Sequence, residues 1–197
     1  MEIQSFNHEL QTANLLFKRL FNNIQIEERG KKTKFQCLIG NRSRIFKGLE
    51  NPDKNAMYKL PMIIITRTGI TKNDERLANV YNEVKRASHS SNLNYNLFTP
   101  VPLDISYEVS IVSKYQEHID RALGNFIPFF NKDVFVRSEH PKYPGLFFTN
   151  QIIMENDIQE DHPSEMADTD QDIITCTCNF RFKTYMFCGN QKAEVKT

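Results

Sequence analysis

From Leu103 to Ile111 apolar and polar residues alternate without a break. Leu103, Ile105, Tyr107, Val109 and Ile111 fall on one side of the pattern, and Asp104, Ser106, Glu108 and Ser110 on the other. A period of two predicts a strand with one apolar face. Pro100 and Pro102 lie at its start, where a missing N–H suits a strand start or an edge. The period then changes. Tyr115, Ile119, Ala122, Leu123, Phe126 and Ile127 recur at the spacing of one helix face. Ser113 with Gln116 fits a capping box at the helix start, and Pro128 ends the helix.

The same periods organise the rest of the chain. Leu10, Ala13, Phe17, Leu20 and Phe21 predict an amphipathic helix over residues 8–21. Ile24 and Ile26, then Phe35, Cys37 and Ile39, alternate with polar neighbours. Between them, ERGKKTK with Gly30 at the turn predicts a β-hairpin with a basic tip. A short helix is expected over Arg42 to Leu49, broken by Asn51-Pro52. Residues 60–65, LPMIII, form a continuous apolar run, as expected of a strand covered on both faces. Leu77, Val80, Tyr81 and Val84 suit a helix over 72–86, although that segment is highly polar. Residues 88–98, rich in Ser and Asn, read as a loop. Short strands are expected at Val134 to Val136 and from Ile152 to Met154. Ile174, Cys176, Cys178, Phe180 and Phe182 then define the apolar face of a long last strand. The expected class is α+β: a mostly antiparallel mixed sheet with flanking helices, in one domain over 1–197. Polar loops near 72–98 and 155–172 and a frayed tail over 189–197 complete it.

Composition narrows the function. A chain of 197 residues buries roughly 70% of its unfolded surface and needs no covalent staple. The net charge is +1, which argues against a generic nucleic-acid or membrane-surface binder. No apolar run approaches the ~20 residues of a bilayer span. MEIQSFNHEL has neither a basic nor an apolar signal region, so no secretory leader is expected.

Candidate chemistry is sparse. Cys176 and Cys178 share one face of a strand and read as buried thiols, since no second pair of ligands accompanies them for a metal. His8, His89, His118, His140 and His162 show no ligand spacing, and Glu117-His118 falls on the polar side of the central helix. G-x-S-x-G, P-loop and G-x-G-x-x-G motifs are missing. No catalytic residue, cofactor or metal is therefore expected. Residues 155–172 hold eight acids and no lysine or arginine, and read as a solvated loop. DTDQD resembles the start of a calcium loop, but Ile173 and Asn179 replace the required Gly and Glu.

The stretch FKRLFNNIQIEERGKKTKFQCLIGNRSRIF resembles the opening of the tail sheath stabiliser and completion proteins of T-even-type contractile-tailed bacteriophages. Leu60-Pro61 followed by Thr68-Gly69-Ile70 is similar to that family's "LPR…TG", with Met62 in the place of Arg. Pro100 to Phe130 resembles its "P-x-P…Y-E-L-x-I-x-T" strand and helix, and Phe126-Ile127-Pro128-Phe129-Phe130 occupies the "ILPYF" end. The likeness covers roughly residues 6–188. It implies a terminator-like fold and a structural virion protein assembled in the host cytoplasm. Such a protein forms a six-fold homo-oligomeric ring at the head-proximal end of the tail. The implied partners are the sheath protein, the tube terminator and the neck proteins, with no membrane and no specific nucleic acid.

Two other readings compete. One is a different neck or baseplate adaptor built on the same domain. The other is a small metal-dependent hydrolase or nuclease with an unfamiliar site. For a ring, the candidate subunit or partner interface residues are Arg29, Lys31, Lys32 and Lys34 at the hairpin and Glu160, Asp161, Asp168 and Asp170 of the acidic stretch, which either meet across a subunit boundary or each face a different partner. The first 50 residues carry nine Lys or Arg against five acids, so opposite charge is concentrated in two separate segments.

Overall fold

The computed structural model describes residues 9–28, 30–49, 59–76, 84–87, 93–97, 100–139, 147–162, 173–186 and 193–195. Helix α1 spans Glu9–Phe21 and is followed by the hairpin β1 (Gln25–Glu28) and β2 (Lys31–Lys34). Then come β3 (Gln36–Ile39), α2 (Arg42–Leu49) and β4 (Met62–Lys72). After a 3-10 turn at Asp74–Arg76 come β5 (Val84–Ala87), β6 (Leu93–Leu97) and β7 (Val101–Ser113). Helix α3 (Gln116–Phe126), β8 (Val134–Glu139), β9 (Phe147–Asp161), β10 (Ile174–Met186) and β11 (Ala193–Val195) complete the order. The class is α+β, as the alternating periods predict.

Six strands form the main sheet in the order β3-β4-β7-β10-β9-β8. Only β3 and β4 pair parallel, and the other neighbours are antiparallel. The apolar run at the start of β4 explains its place. Ile63 and Ile65 face α1 and α3, while Met62 and Ile64 face α2, and all four are fully buried. A strand covered on both faces has no polar side to present, hence the unbroken run. The larger core lies under α1 and α3. Phe17 of α1 stacks on Tyr107 of β7 with ring centroids 4.3 Å apart, and Phe180 and Phe182 of β10 meet it edge-on. The Tyr107 hydroxyl donates to Asn14 Oδ1 at 2.6 Å, which satisfies the polar end of a buried ring. At the other end of this face Asn150 is fully buried. Its amide donates to Ser138 Oγ at 2.8 Å and accepts from Thr184 Oγ1 at 2.7 Å. Those bonds tie β8, β9 and β10 in one register, because a one-residue slip would leave all three groups unpaired inside the protein.

Several expectations change. Lys31–Lys34 form the second arm of the hairpin and not its tip, and residues 36–39 leave it to join the main sheet. The turn uses Gly30 at φ 77°, a conformation glycine adopts without strain. The helix suggested over 72–86 is not formed in its described parts: β4 runs to Lys72 and Val84–Ala87 is a strand. The loop expected at 88–98 contains β6, which pairs with β5 and with β11. The tail after Gly189 therefore includes a paired strand. Pro102 lies inside β7, a central strand and not an edge, opposite Tyr185. Residues 155–161, expected as loop, extend β9. The break at Asn51-Pro52 lies outside the described residues.

Helix α3 keeps its predicted face only in the middle. Ile119, Ala122 and Phe126 are buried, but Tyr115 is 63% exposed and Ile127 is 40% exposed. The capping box is not made. Tyr115 is the N-cap and its side chain makes no capping bond. Ser113 Oγ accepts the Tyr115 N–H at 3.1 Å and lies 3.2 Å from His118 Nδ1. His118 is consequently buried at the helix start, not solvated beside Glu117. The helix is entered two residues later than the capping box implies, and Tyr115, its N-cap, lies outside the helical turns and is exposed.

Candidate assembly surfaces

The basic hairpin is held against α3 by its backbone. Arg121 donates to the Glu27 carbonyl, and Asn125 Nδ2 to the Gln25 carbonyl at 3.4 Å. The register sets Lys32 opposite Glu27, Lys31 opposite Glu28 and Lys34 opposite Gln25. Cross-strand acid–base pairs stabilise a two-stranded ribbon by a few tenths of a kcal/mol up to about 1. Lys32 thus has an acid opposite it across the hairpin, which spacing alone did not show. Lys32 and Lys34 are exposed, and Lys34 Nζ is 3.4 Å from Asn23 Oδ1. Arg29 lies outside the described residues.

The acidic surface is the outer half of β9. Glu155 pairs with Arg181 at 2.8 Å. Asp157 accepts from Gln159, and Asp161 is exposed. Glu160 Oε2 accepts from Gln116 Nε2 at 3.4 Å and lies 3.5 Å from His162 Nε2. Asp168 and Asp170 lie outside the described residues. Of the eight expected interface residues, the structure places Lys31, Lys32, Lys34, Glu160 and Asp161. Among the described residues the two groups are not brought together. Helix α3 stands between them: Arg121 and Asn125 reach the hairpin, and Gln116 on the other flank reaches Glu160. These two stripes lie more than 100° apart on the helix, by the 3.6-residue turn.

A third charged surface was not singled out by its spacing. Helix α2 carries Arg42, Arg44 and Lys47 and no acid. The Arg42 guanidinium lies 5.4 Å from the Phe46 ring centre and 3.5 Å from Thr177 Oγ1. Arg42, Ser43, Phe46 and Lys47 line a groove open to solvent. The apolar side of α2, through Ile45, is what anchors it on Met62, Ile64 and Val112.

The cysteines behave as core residues. Cys37, Cys176 and Cys178 are buried free thiols, and the last two share a face as the alternation predicts. The hydrogen bond between Cys178 and Cys176 lowers the Cys176 pKa and raises that of Cys178, so Cys178 keeps the proton. Burial pushes the Cys37 thiol from 9.0 up to about 11, with Lys18 opposing. The folded state then holds this proton more tightly than the unfolded chain does. That contribution to stability is complete below pH 9 and is lost as pH rises through about 11. Urea unfolding across this range is expected to show a decline that is smaller in Cys37→Ala by on the order of 2 kcal/mol. An identical decline in the variant would assign it to other groups. Among the described residues, no three His, Cys, Asp or Glu side chains converge as metal ligands, and no helix is long and apolar enough to cross a membrane. The Ser113–His118 pair is 1% and 7% exposed, and its role visible here is to fix the entry into α3.

The core under α1, α2 and α3 thus carries a charged hairpin, a basic helix and an acidic strand edge at its surface. The sequence profile of the T4-like virus Myoviridae tail sheath stabilisers matches residues 4–197, essentially the whole chain. The chain belongs to that family, and is a structural protein of bacteriophage tails. Comparison with curated proteins gives no match.

Proposed function

We propose that copies of this chain close into a six-fold ring at the head-proximal end of a contractile tail. There the ring ends and stabilises the sheath and tube and joins the tail to the neck. The protein acts as one domain and works by contact, without catalysis or cofactor. Its partners are its own copies, the sheath protein, the tube terminator and the neck proteins. It is assembled in the host cytoplasm and retained in the virion. The observation that carries this reading is the whole-chain match to the sheath stabiliser family. The fold is compatible: a two-sided core keeps the sheet stiff, and its charged flanks remain free to meet neighbours. A ring requires a heterologous contact that closes by rotation.

Electron microscopy of the purified protein, alone and mixed with isolated tails, tests the proposal. Closed rings alone, and a cap at one end of the sheath in the mixture, are expected. A monomer at every concentration that leaves the sheath ends uncapped would overturn it.

A further inference from the structure

We infer that neighbouring copies in this ring meet head to tail through opposite charge. The basic flank beside β3 of one copy docks against the outer half of β9 of the next. The inference rests on the ring reading above and specifies its interface.

The sheet order separates the two surfaces. From β3 to β9 is four strand steps, roughly 19 Å at the usual strand spacing. The hairpin runs directly into β3 and α1 touches it, whereas α2 packs on the opposite face of the sheet and reaches Thr177 of β10. Arg19 of α1 and Lys34 of the hairpin are exposed, and Lys34 has no acid opposite it in the hairpin. At the other side, residues 147–162 contain no lysine or arginine. Strand β8 covers β9 only from Phe147 to Ile152. Beyond Ile152 no described strand pairs with that side of β9, and this open stretch carries Asp157, Glu160 and Asp161, all exposed. An edge strand bearing acids repels unselective strand pairing and admits a basic neighbour. A closing heterologous interface needs two unlike surfaces on different sides of the subunit. The two flanks supply that pair, and α3 keeps them apart within one copy.

The hairpin lysines that the sequence marks first are the weaker half of this surface. Lys32 faces Glu27 across the hairpin, whereas Lys34 faces neutral Gln25. The uncompensated charge of this flank is therefore on Arg19 and Lys34.

Charge reversal in pairs is the test, read as the mass distribution of the full chain by mass photometry. The variants are Arg19→Glu with Lys34→Glu, Asp157→Lys with Asp161→Lys, and all four together. All four side chains are at the surface, and thermal unfolding confirms that each variant folds. At about 50 mM salt each pair is expected to raise the concentration for half-assembly about tenfold or more. The four-site variant restores it to within about threefold, and the differences shrink at about 0.5 M salt. Lys34→Glu alone gives a second variant should Arg19→Glu with Lys34→Glu unfold. Rings that form from every reversed pair at the wild-type concentration would overturn the inference and leave the ring intact. So would loss of assembly without rescue in the four-site variant. Failure of the wild-type chain to form rings would overturn the reading beneath it.

Discussion

Replacing Phe17 by alanine is expected to destabilise the protein by about 3–5 kcal/mol. Phe17 is fully buried and contacts four rings: Phe21 at 5.2 Å, Tyr107 at 4.3 Å, Phe180 at 5.6 Å and Phe182 at 6.3 Å between centroids. It is the side chain through which α1 is fastened to β7 and β10. The cavity left by its removal is bounded by strands on one side, which cannot collapse onto it, so the upper part of the range applies. Leu15 on the same helix is half exposed. Leu15→Ala is expected to change stability by less than about 0.5 kcal/mol. Urea unfolding followed by circular dichroism checks both. Equal small effects would mean that α1 does not pack on the sheet through Phe17.

The second large effect belongs to α3. Phe126 is 4% exposed and meets Phe21 and Phe130 edge-on, at 6.0 and 6.5 Å. Phe126→Ala is expected to cost about 3–4 kcal/mol. Ile127 follows it in the sequence pattern as an equal member of the apolar face, yet it is 40% exposed. Ile127→Ala is expected to cost less than about 1 kcal/mol. The two substitutions separate the helix face seen in the sequence from the one the fold uses. Similar losses for both would place Ile127 in the core and show that α3 is rotated relative to this structure.

The candidate surfaces were legible only in part. Clusters of like charge can be read along a chain, and Lys32, Lys34, Glu160 and Asp161 are exposed as that reading requires. What faces them across a strand cannot be read. The hairpin register gives Lys32 a glutamate, and an acid-rich stretch that reads as loop instead extends a strand to Asp161. Polar composition misled here because the outer half of β9 has lost its β8 neighbour. A strand that is not enclosed on both faces need not be apolar. The basic face of α2 went unmarked because three cations in eight residues are common on any solvated helix.

The sequence by itself determined the periodic elements: α1, α2, β4, β7, the middle of α3 and β10. In α1, β7, α3 and β10 the apolar positions recur at the spacing of the structure formed, because burial of one face fixes the pattern, while β4, covered on both faces, shows as an unbroken apolar run. It also determined the α+β class, the buried thiols of Cys176 and Cys178, and enough ordered motifs to place the chain near its family. Tertiary structure alone decided the rest. The sheet order, the parallel pairing of β3 with β4, and the three-stranded β11-β6-β5 sheet join segments far apart in the chain, and no local pattern specifies such partners. The entry of α3 was set by Ser113 and His118, whose contact exists only after β7 and the helix have packed. The separation of the basic flank from the acidic edge is of the same kind. It follows from strand order, which arises when every strand competes for the same core.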